Sequence, residues 1–205
     1  MTTRDDKTLV ARGYDEIVDT YLDQFGESSV RAAKLAEAVT HLAAGAAVLD
    51  LGCGAGVPVA RELVRLGFDV TGVDASLGQI ERARQHVPQA RFILGDMASV
   101  DLAAGAFDAV LAFYSITHLP RSEHAPLVRK IAGWLRPGGR FLASFGTVEG
   151  DWTGEWLGTT MSFSHNAPEA TKRMVCDAGL VVERVEVVKQ DNEDQSFLWI
   201  TARKP

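Results

Sequence analysis

The chain has 205 residues, more than the common domain size but within the range of a single α/β unit, and a formal net charge of −6 that disfavours a surface built to track phosphates. Its Lys and Arg residues are scattered and form no basic stripe, so a nucleic-acid partner is not expected. The two cysteines, Cys53 and Cys176, cannot make a disulfide framework, no apolar run reaches the ~18 residues of a membrane span, and Arg4, Asp5, Asp6 and Lys7 leave the amino terminus without a secretory core; a cytoplasmic domain with no membrane partner is expected.

Tyr14, Ile17, Val18, Tyr21 and Phe25 recur at helical spacing and predict an amphipathic N-terminal helix. Leu35, Ala38, Val39 and Leu42 predict another, so residues 1–44 read as a helical cap. An apolar strand from Ala46 to Leu49 runs through Asp50 and Leu51 into Gly52-Cys53-Gly54-Ala55-Gly56. Glycine lacks a Cβ, so such a turn can take left-handed angles and let a ligand approach the backbone closely. Val59, Ala60, Leu63 and Val64 then recur at helical spacing, with Pro58 suited to the first turn. Strand, turn and helix together form a nucleotide-binding turn, where free N–H groups and the helix dipole are expected to favour a negative ligand group. A dinucleotide fingerprint requires its last glycine where Val57 stands, which argues against a nicotinamide or flavin site.

Phe68 to Asp74 predicts a second strand, whose final carboxylate lies where a ribose-binding acid is expected. Ser76 is placed to cap a helix over 77–86. A third strand over 90–94 ends in Gly95-Asp96-Met97, which puts an acceptor and an apolar side chain at the same sheet edge. Phe107-Asp108-Ala109-Val110 opens a fourth strand. Ser122 is placed to cap a helix presenting Leu127, Val128, Ile131, Trp134 and Leu135 to the core, and Pro137-Gly138-Gly139 leads into a fifth strand over 140–145.

From Gly150 to His165, Trp152, Trp156, Met161 and Phe163 crowd a loop-like stretch, and large apolar side chains in a loop require a partner. They are expected either to pack on the core or on a second copy, or to form a lid in which Trp152, Trp156 and Phe163 face an apolar or aromatic substrate. Asn166 is placed to cap a helix carrying Met174, Val175 and Ala178. Val181 to Lys189 and Ser196 to Ala202 predict the last strands, whose short polar link suits an antiparallel pair. The expected fold is α/β, a doubly wound, mostly parallel sheet with helices on both faces, one antiparallel strand near its edge and an N-terminal helical cap. Beyond the cap, 45–146 reads as a cofactor-binding core, 147–166 as a lid or substrate loop, and 167–205 as a C-terminal helix with the antiparallel strand pair.

Taken in order, Asp50-Leu51-Gly52-Cys53-Gly54-Ala55-Gly56, Asp74, Gly95-Asp96-Met97, Phe107-Asp108-Ala109-Val110 and Leu135-Arg136-Pro137-Gly138-Gly139 resemble the motifs of class I S-adenosylmethionine-dependent methyltransferases. The resemblance, to the family's small-molecule branch, runs from Tyr14 to Lys204. It implies a Rossmann-like, seven-stranded sheet, S-adenosyl-L-methionine as cofactor and S-adenosyl-L-homocysteine as product. It further implies that Gly52 and Gly54, with Cys53 between them, pass beneath the methionyl and ribose portions while Asp50 reaches the amino group. Asp74 would hold the ribose hydroxyls, Ala75 would pack beside the adenine, Asp96 would accept from its exocyclic amine, and Met97 would contact the ring. Phe113 would offer its carbonyl to the ammonium, and Tyr14 and Tyr21 would close the methionyl end.

Methyl transfer from a sulfonium is an in-line displacement at carbon that needs no metal, and no metal-spaced His, Cys or carboxylate cluster is visible. A base can assist a protic acceptor, and His118 and His165 are the histidines placed near it. Structural roles stay open for both: Ser115-Ile116-Thr117-His118-Leu119 resembles a family segment found whatever the substrate, and His165 can finish a turn. Phe113-Tyr114-Ser115-Ile116 stands where Asn-Pro-Pro-Tyr would mark methylation of base amines. The expected function is methylation of an O, N, S or activated C atom of a small apolar or aromatic metabolite. The alternative is a non-catalytic S-adenosylmethionine-binding or interaction module, and monomer and homodimer are equally open.

Overall fold

The computed structural model describes residues 3–191 and 193–205. In chain order its helices are α1 (Thr3–Glu16), α2 (Val18–Phe25), α3 (Ser29–Val39), α4 (Val59–Arg65), α5 (Leu77–His86), α6 (Arg121–Trp134) and α7 (Pro168–Asp177). Its strands are β1 (Ala47–Leu51), β2 (Asp69–Asp74), β3 (Arg91–Leu94), β4 (Phe107–Ala112), β5 (Leu135–Gly146), β6 (Gly150–Trp156), β7 (Thr159–His165), β8 (Val181–Lys189) and β9 (Ser196–Arg203). A seven-stranded sheet runs in the order β3-β2-β1-β4-β5-β9-β8. Only β9 runs against its neighbours β5 and β8, as the short link before it requires.

Both faces are covered because the parallel strands are apolar on both sides. Leu35, Leu63 and Ile80 from α3, α4 and α5 pack on one face, and Leu127, Ile131 and Val175 from α6 and α7 on the other. Chain order reverses between β1 and β4, so their carboxyl ends border the crevice where open α/β sheets bind ligands. No helix among the described residues is long and apolar enough to cross a membrane.

The N-terminal stripe forms two helices, broken at Ile17, whose ψ of 16° leaves the helical range while its side chain stays buried. Burial preserves the apolar period across the kink. Ser122 falls inside α6, which starts after Pro120, and Asn166 stands outside α7, where Pro168 presets the first turn. Asn166 instead donates to His124 Nδ1 at 3.0 Å. The fifth strand begins early, because Leu135 already pairs with Phe107 ahead of a register shift.

The stretch expected as a loop over 147–166 is a β6–β7 hairpin. Leu157 and Gly158 make its two-residue turn at φ of 52° and 84°, the left-handed pair that matches strand twist. A Cβ on Gly13 would lie 2.7 Å from Met161 Sδ, so glycine lets α1 sit directly on the hairpin. Val10, Ile17 and Met161 form a small core there, apart from the two sheet faces.

Candidate functional site

β1 delivers the chain into the glycine turn, where Gly52, Gly54 and Gly56 have φ of 71°, 53° and 76°. Its N–H groups are not free for an anion. Gly52 and Cys53 donate to the Val73 carbonyl at 2.8 and 3.1 Å, and Gly54 donates to Asp74 Oδ2 at 2.9 Å. Gly52, Cys53 and Gly54 thus spend their N–H groups on β2, and what that part of the turn offers a ligand is a bare backbone floor. A Cβ on Gly52 would overlap Ser115 Cβ and lie 3.4 Å from Met97 Cε.

The acids at the strand ends differ in how they are satisfied. Asp74 accepts from Gly54 and Ser76 N–H groups, both at 2.9 Å, and burial raises its carboxyl above the usual range despite those bonds. Asp96 accepts from Ala98 N–H at 2.9 Å and from Lys7 Nζ at 2.6 Å, and Lys7 also reaches Glu123 at 2.7 Å. Asp50 is 2% exposed and its Oδ2 has no partner. Burial, then the negative charge of Asp74, pushes its carboxyl up to about 7, with Arg31 opposing the rise. A buried acceptor without a donor costs about 1–3 kcal/mol, which marks Asp50 as a place for a ligand's donor.

Arg31 was not singled out by the sequence, although it shares the buried stripe of Leu35 and Ala38 on α3. It is 5% exposed, donates to Phe25 O at 2.7 Å and to Tyr21 Oη at 2.6 Å, and its guanidinium lies 4.9 Å from the Tyr114 ring centroid. Among the described residues no carboxylate comes within 4 Å of it to make an ion pair. A buried cation without a counter-ion is a second mark of an absent ligand group.

Three neighbouring spaces lie against these groups. The first is lined by Gly52, Gly54, Asp74, Ala75, Asp96 and Met97, with Lys7, Ala11 and Tyr14 of α1 along it. Lys7 latches one end of α1, and Asp15 the other, by accepting from Ser76 Oγ at 2.6 Å and Gly78 N at 2.9 Å. A space behind the turn meets Asp50, Cys53, Phe113, Tyr21 and Arg31. An aromatic chamber is lined by Tyr14, Tyr21, Tyr114, Trp156 and Phe163, and it shares His118 with the first space.

His118 is committed on both nitrogens. A carbonyl cannot donate, so Nδ1–H donates to Ser162 O at 3.1 Å, and Nε2 must accept from the Tyr14 hydroxyl at 2.8 Å. Burial drives its pKa down to about 4 and drives the Tyr14 hydroxyl well up, so both are neutral. His165 lies elsewhere. Its ring covers Gly146, where a Cβ would overlap it, and it lines none of the three spaces. Trp152, 47% exposed at the far end of the hairpin, lines none of them either.

Residues 48–139 match a protein family described as a methyltransferase domain. Over that span the chain is similar to methyltransferase domains. It is 32% identical over 153 residues to a 27-O-demethylrifamycin SV methyltransferase of Amycolatopsis mediterranei, covering 64% of this chain and 56% of that one. It is 38% identical over 119 residues to a trans-aconitate 2-methyltransferase of Delftia acidovorans, covering 57% and 44%. This chain thus spans about half the length of the curated relatives it matches. Its fold is that of the Burkholderia thailandensis 1,6-didemethyltoxoflavin-N1-methyltransferase, with a TM-score of 0.79 at 20% identity over 100% of this chain and 91% of that structure. The matched span of the methyltransferase domain holds the glycine turn, Asp74, Asp96, Phe113 and His118. The cap, the hairpin and the β8–β9 turn lie outside it.

Proposed function

We propose that the protein transfers a methyl group from S-adenosyl-L-methionine to a small apolar or aromatic metabolite through an O, N, S or activated C atom, leaving S-adenosyl-L-homocysteine. The observation that carries this reading is the pairing of unpartnered Asp50 Oδ2 with unpaired Arg31 around one space beside the glycine turn. An α-amino acid presents an ammonium and a carboxylate, the groups that such an acid and such a base would hold. In this reading Asp74 holds the ribose hydroxyls and Ala75, Asp96 and Met97 meet the adenine, supported by their lining one space together. Cys53, Phe113, Tyr14 and Tyr21 complete the wall. The bound donor supplies a sulfonium methyl, and the chain supplies position and exclusion of water.

The rings of Tyr14, Tyr21, Tyr114, Trp156 and Phe163 gathered beside these spaces support an apolar or aromatic acceptor. The names of the relatives, acting on a demethylrifamycin and a didemethyltoxoflavin, support a small organic acceptor. Asp96, Glu123 and Asp15 at the mouth disfavour a nucleic acid. Free Cys53 and Cys176 support a reducing, cytoplasmic setting. The working division remains cap 1–44, cofactor core 45–146, hairpin segment 147–166 and C-terminal part 167–205. Calorimetry with S-adenosyl-L-homocysteine tests the reading. Binding in the micromolar range or tighter is expected, and absence of binding by both donor and product sinks it.

A further inference from the structure

The β8–β9 turn brings to the aromatic chamber a carboxylate that the reading above leaves unused. The turn is anchored on two sides. Gln190 Oε1 accepts from the Tyr114 hydroxyl at 2.8 Å. Asp191 accepts from the Ser28 and Ser29 hydroxyls at 2.7 and 2.8 Å and from the Ser29 and Val30 N–H groups at 2.5 and 3.3 Å, which fastens the turn to the start of α3. Although burial opposes it, these bonds hold the Asp191 carboxyl down to about 2, so the anchor is ionised throughout the working pH range.

Glu193 stands beyond these anchors and lines the chamber with Tyr14, Arg31, His118, Trp156 and Phe163. It makes no hydrogen bond among the described residues; burial raises its carboxyl, and only the charge of Arg31 opposes the rise. The titratable groups that border the same chamber are Tyr14 of α1, Tyr21 of α2, Arg31 of α3, and Tyr114 and His118 beyond β4. None of these competes as a proton acceptor. His118 has its Nε2 lone pair occupied by Tyr14 and a pKa of about 4, Tyr14 and Tyr114 have raised hydroxyls, and Arg31 is a cation. Glu193 offers two carboxylate oxygens with no donor assigned to either.

We propose that Glu193 is the catalytic base that accepts the proton of the acceptor's nucleophilic O–H or N–H group in the aromatic chamber. For a hydroxyl the O–H bond breaks, its proton passes to a carboxylate oxygen of Glu193, and its electron pair forms the new bond to the sulfonium methyl while the C–S bond breaks with its pair left on the sulfur of S-adenosyl-L-homocysteine; an amine attacks with its own lone pair and then yields its N–H proton to Glu193. The protonated carboxyl returns its proton to solvent at the open side of the turn. The inference rests on the methyl-transfer reading and assigns the acceptor to protic compounds.

The full chain with S-adenosyl-L-methionine is assayed on ring-substituted phenols and anilines, from phenol itself to 4-nitrophenol, which ionises readily on its own. Glu193→Gln is expected to slow turnover of phenol on the order of 10²–10⁴-fold and to leave 4-nitrophenol within about threefold. The wild-type kcat falls on the acid side as the carboxyl protonates, and Glu193→Gln loses that limb. Its affinity for S-adenosyl-L-homocysteine and its melting temperature stay unchanged. Equal turnover of phenol by both proteins overturns the proposal, and so does binding of the product with no methylation of any phenol or aniline. Failure of wild-type protein to bind S-adenosyl-L-homocysteine instead removes the methyl-transfer reading itself.

Discussion

At the strand ends, Asp50, Gly52 and Asp74 sit in or beside turns whose backbone partners are set by sheet register, down to Gly52 and Cys53 bonded to Val73 O. Across the cavity, Tyr14, Tyr21, Trp156 and Phe163 come from helices and a hairpin that belong to no sheet face and hold one another by ring contacts. Tyr14 and Tyr21 centroids are 5.4 Å apart, and Phe25 stacks on Trp156 at 5.8 Å. One half places a few polar atoms through main-chain geometry. The other builds a wall of area, where volume and flatness matter more than any single contact. The match to a methyltransferase domain, over residues 48–139, takes in the strand-end turns and leaves out the helices and hairpin that build the aromatic wall.

The two halves should respond differently to substitution. The largest effect is expected for Gly52→Val, which adds a Cβ into Ser115 at a φ of 71°. Left-handed strain of roughly 1–2 kcal/mol and overpacking of roughly 1–3 kcal/mol should together abolish product binding by calorimetry and lower the melting temperature. A well-folded variant that binds normally would break the picture of a close backbone floor.

Asp50→Asn comes next. In the empty protein Asp50 binds its proton up to a pH of about 7, so wild-type affinity for an ammonium-bearing ligand should fall as pH drops below that value. The variant should bind about 10–100-fold more weakly and show no such slope, as expected for a charge-assisted bond of roughly 1.5–3 kcal/mol. Stability has the opposite sign. A carboxyl raised on folding costs stability progressively as pH climbs from about 4, its unfolded value, to about 7, so Asp50→Asn should melt higher than wild type at pH 8 without ligand.

Arg31→Met should weaken S-adenosyl-L-homocysteine about tenfold. It should leave 5′-methylthioadenosine, which lacks the amino-acid end, unchanged. Equal losses for both ligands would move Arg31 from the amino-acid end to a general packing role.

The smallest effects separate the two tryptophans of the hairpin. Trp156→Ala removes contacts to Tyr14, Tyr21, Phe25 and Phe163 and should cost about 1–3 kcal/mol in thermal unfolding, whereas Trp152→Ala, on the exposed end, should stay within about 0.5 kcal/mol. Comparable losses would mean that Trp152 is covered in solution.

The acids and glycines could be placed from sequence because each follows an apolar strand, and a strand's end in a doubly wound sheet points to one edge. Ser76 could be read as a cap for the same local reason, and it accepts from Gln79 N–H at 3.1 Å. The hairpin escaped notice because Trp152 and Trp156 alternate with exposed polar residues around Gly154, a pattern too weak to separate from a loop, although Leu157-Gly158 carried the turn signal. His165 and His118 could not be ranked, since their difference lies in which side of β5 and the hairpin each ring falls on. The free N–H groups read into the glycine turn were lost to β2, a partner twenty residues away.

By itself, the sequence determined the alternation of strands and helices, the left-handed glycine turn and the order of the strand-end acids, since all of these depend on local spacing and backbone freedom. Only the tertiary structure decided that Asp50 Oδ2 is left without a donor and Arg31 without a paired carboxylate, that His118 is bound to Tyr14, and that Glu193 lines an aromatic chamber. Those properties belong to burial and to charges brought together from distant segments, and a residue's solvation is set by what folds over it.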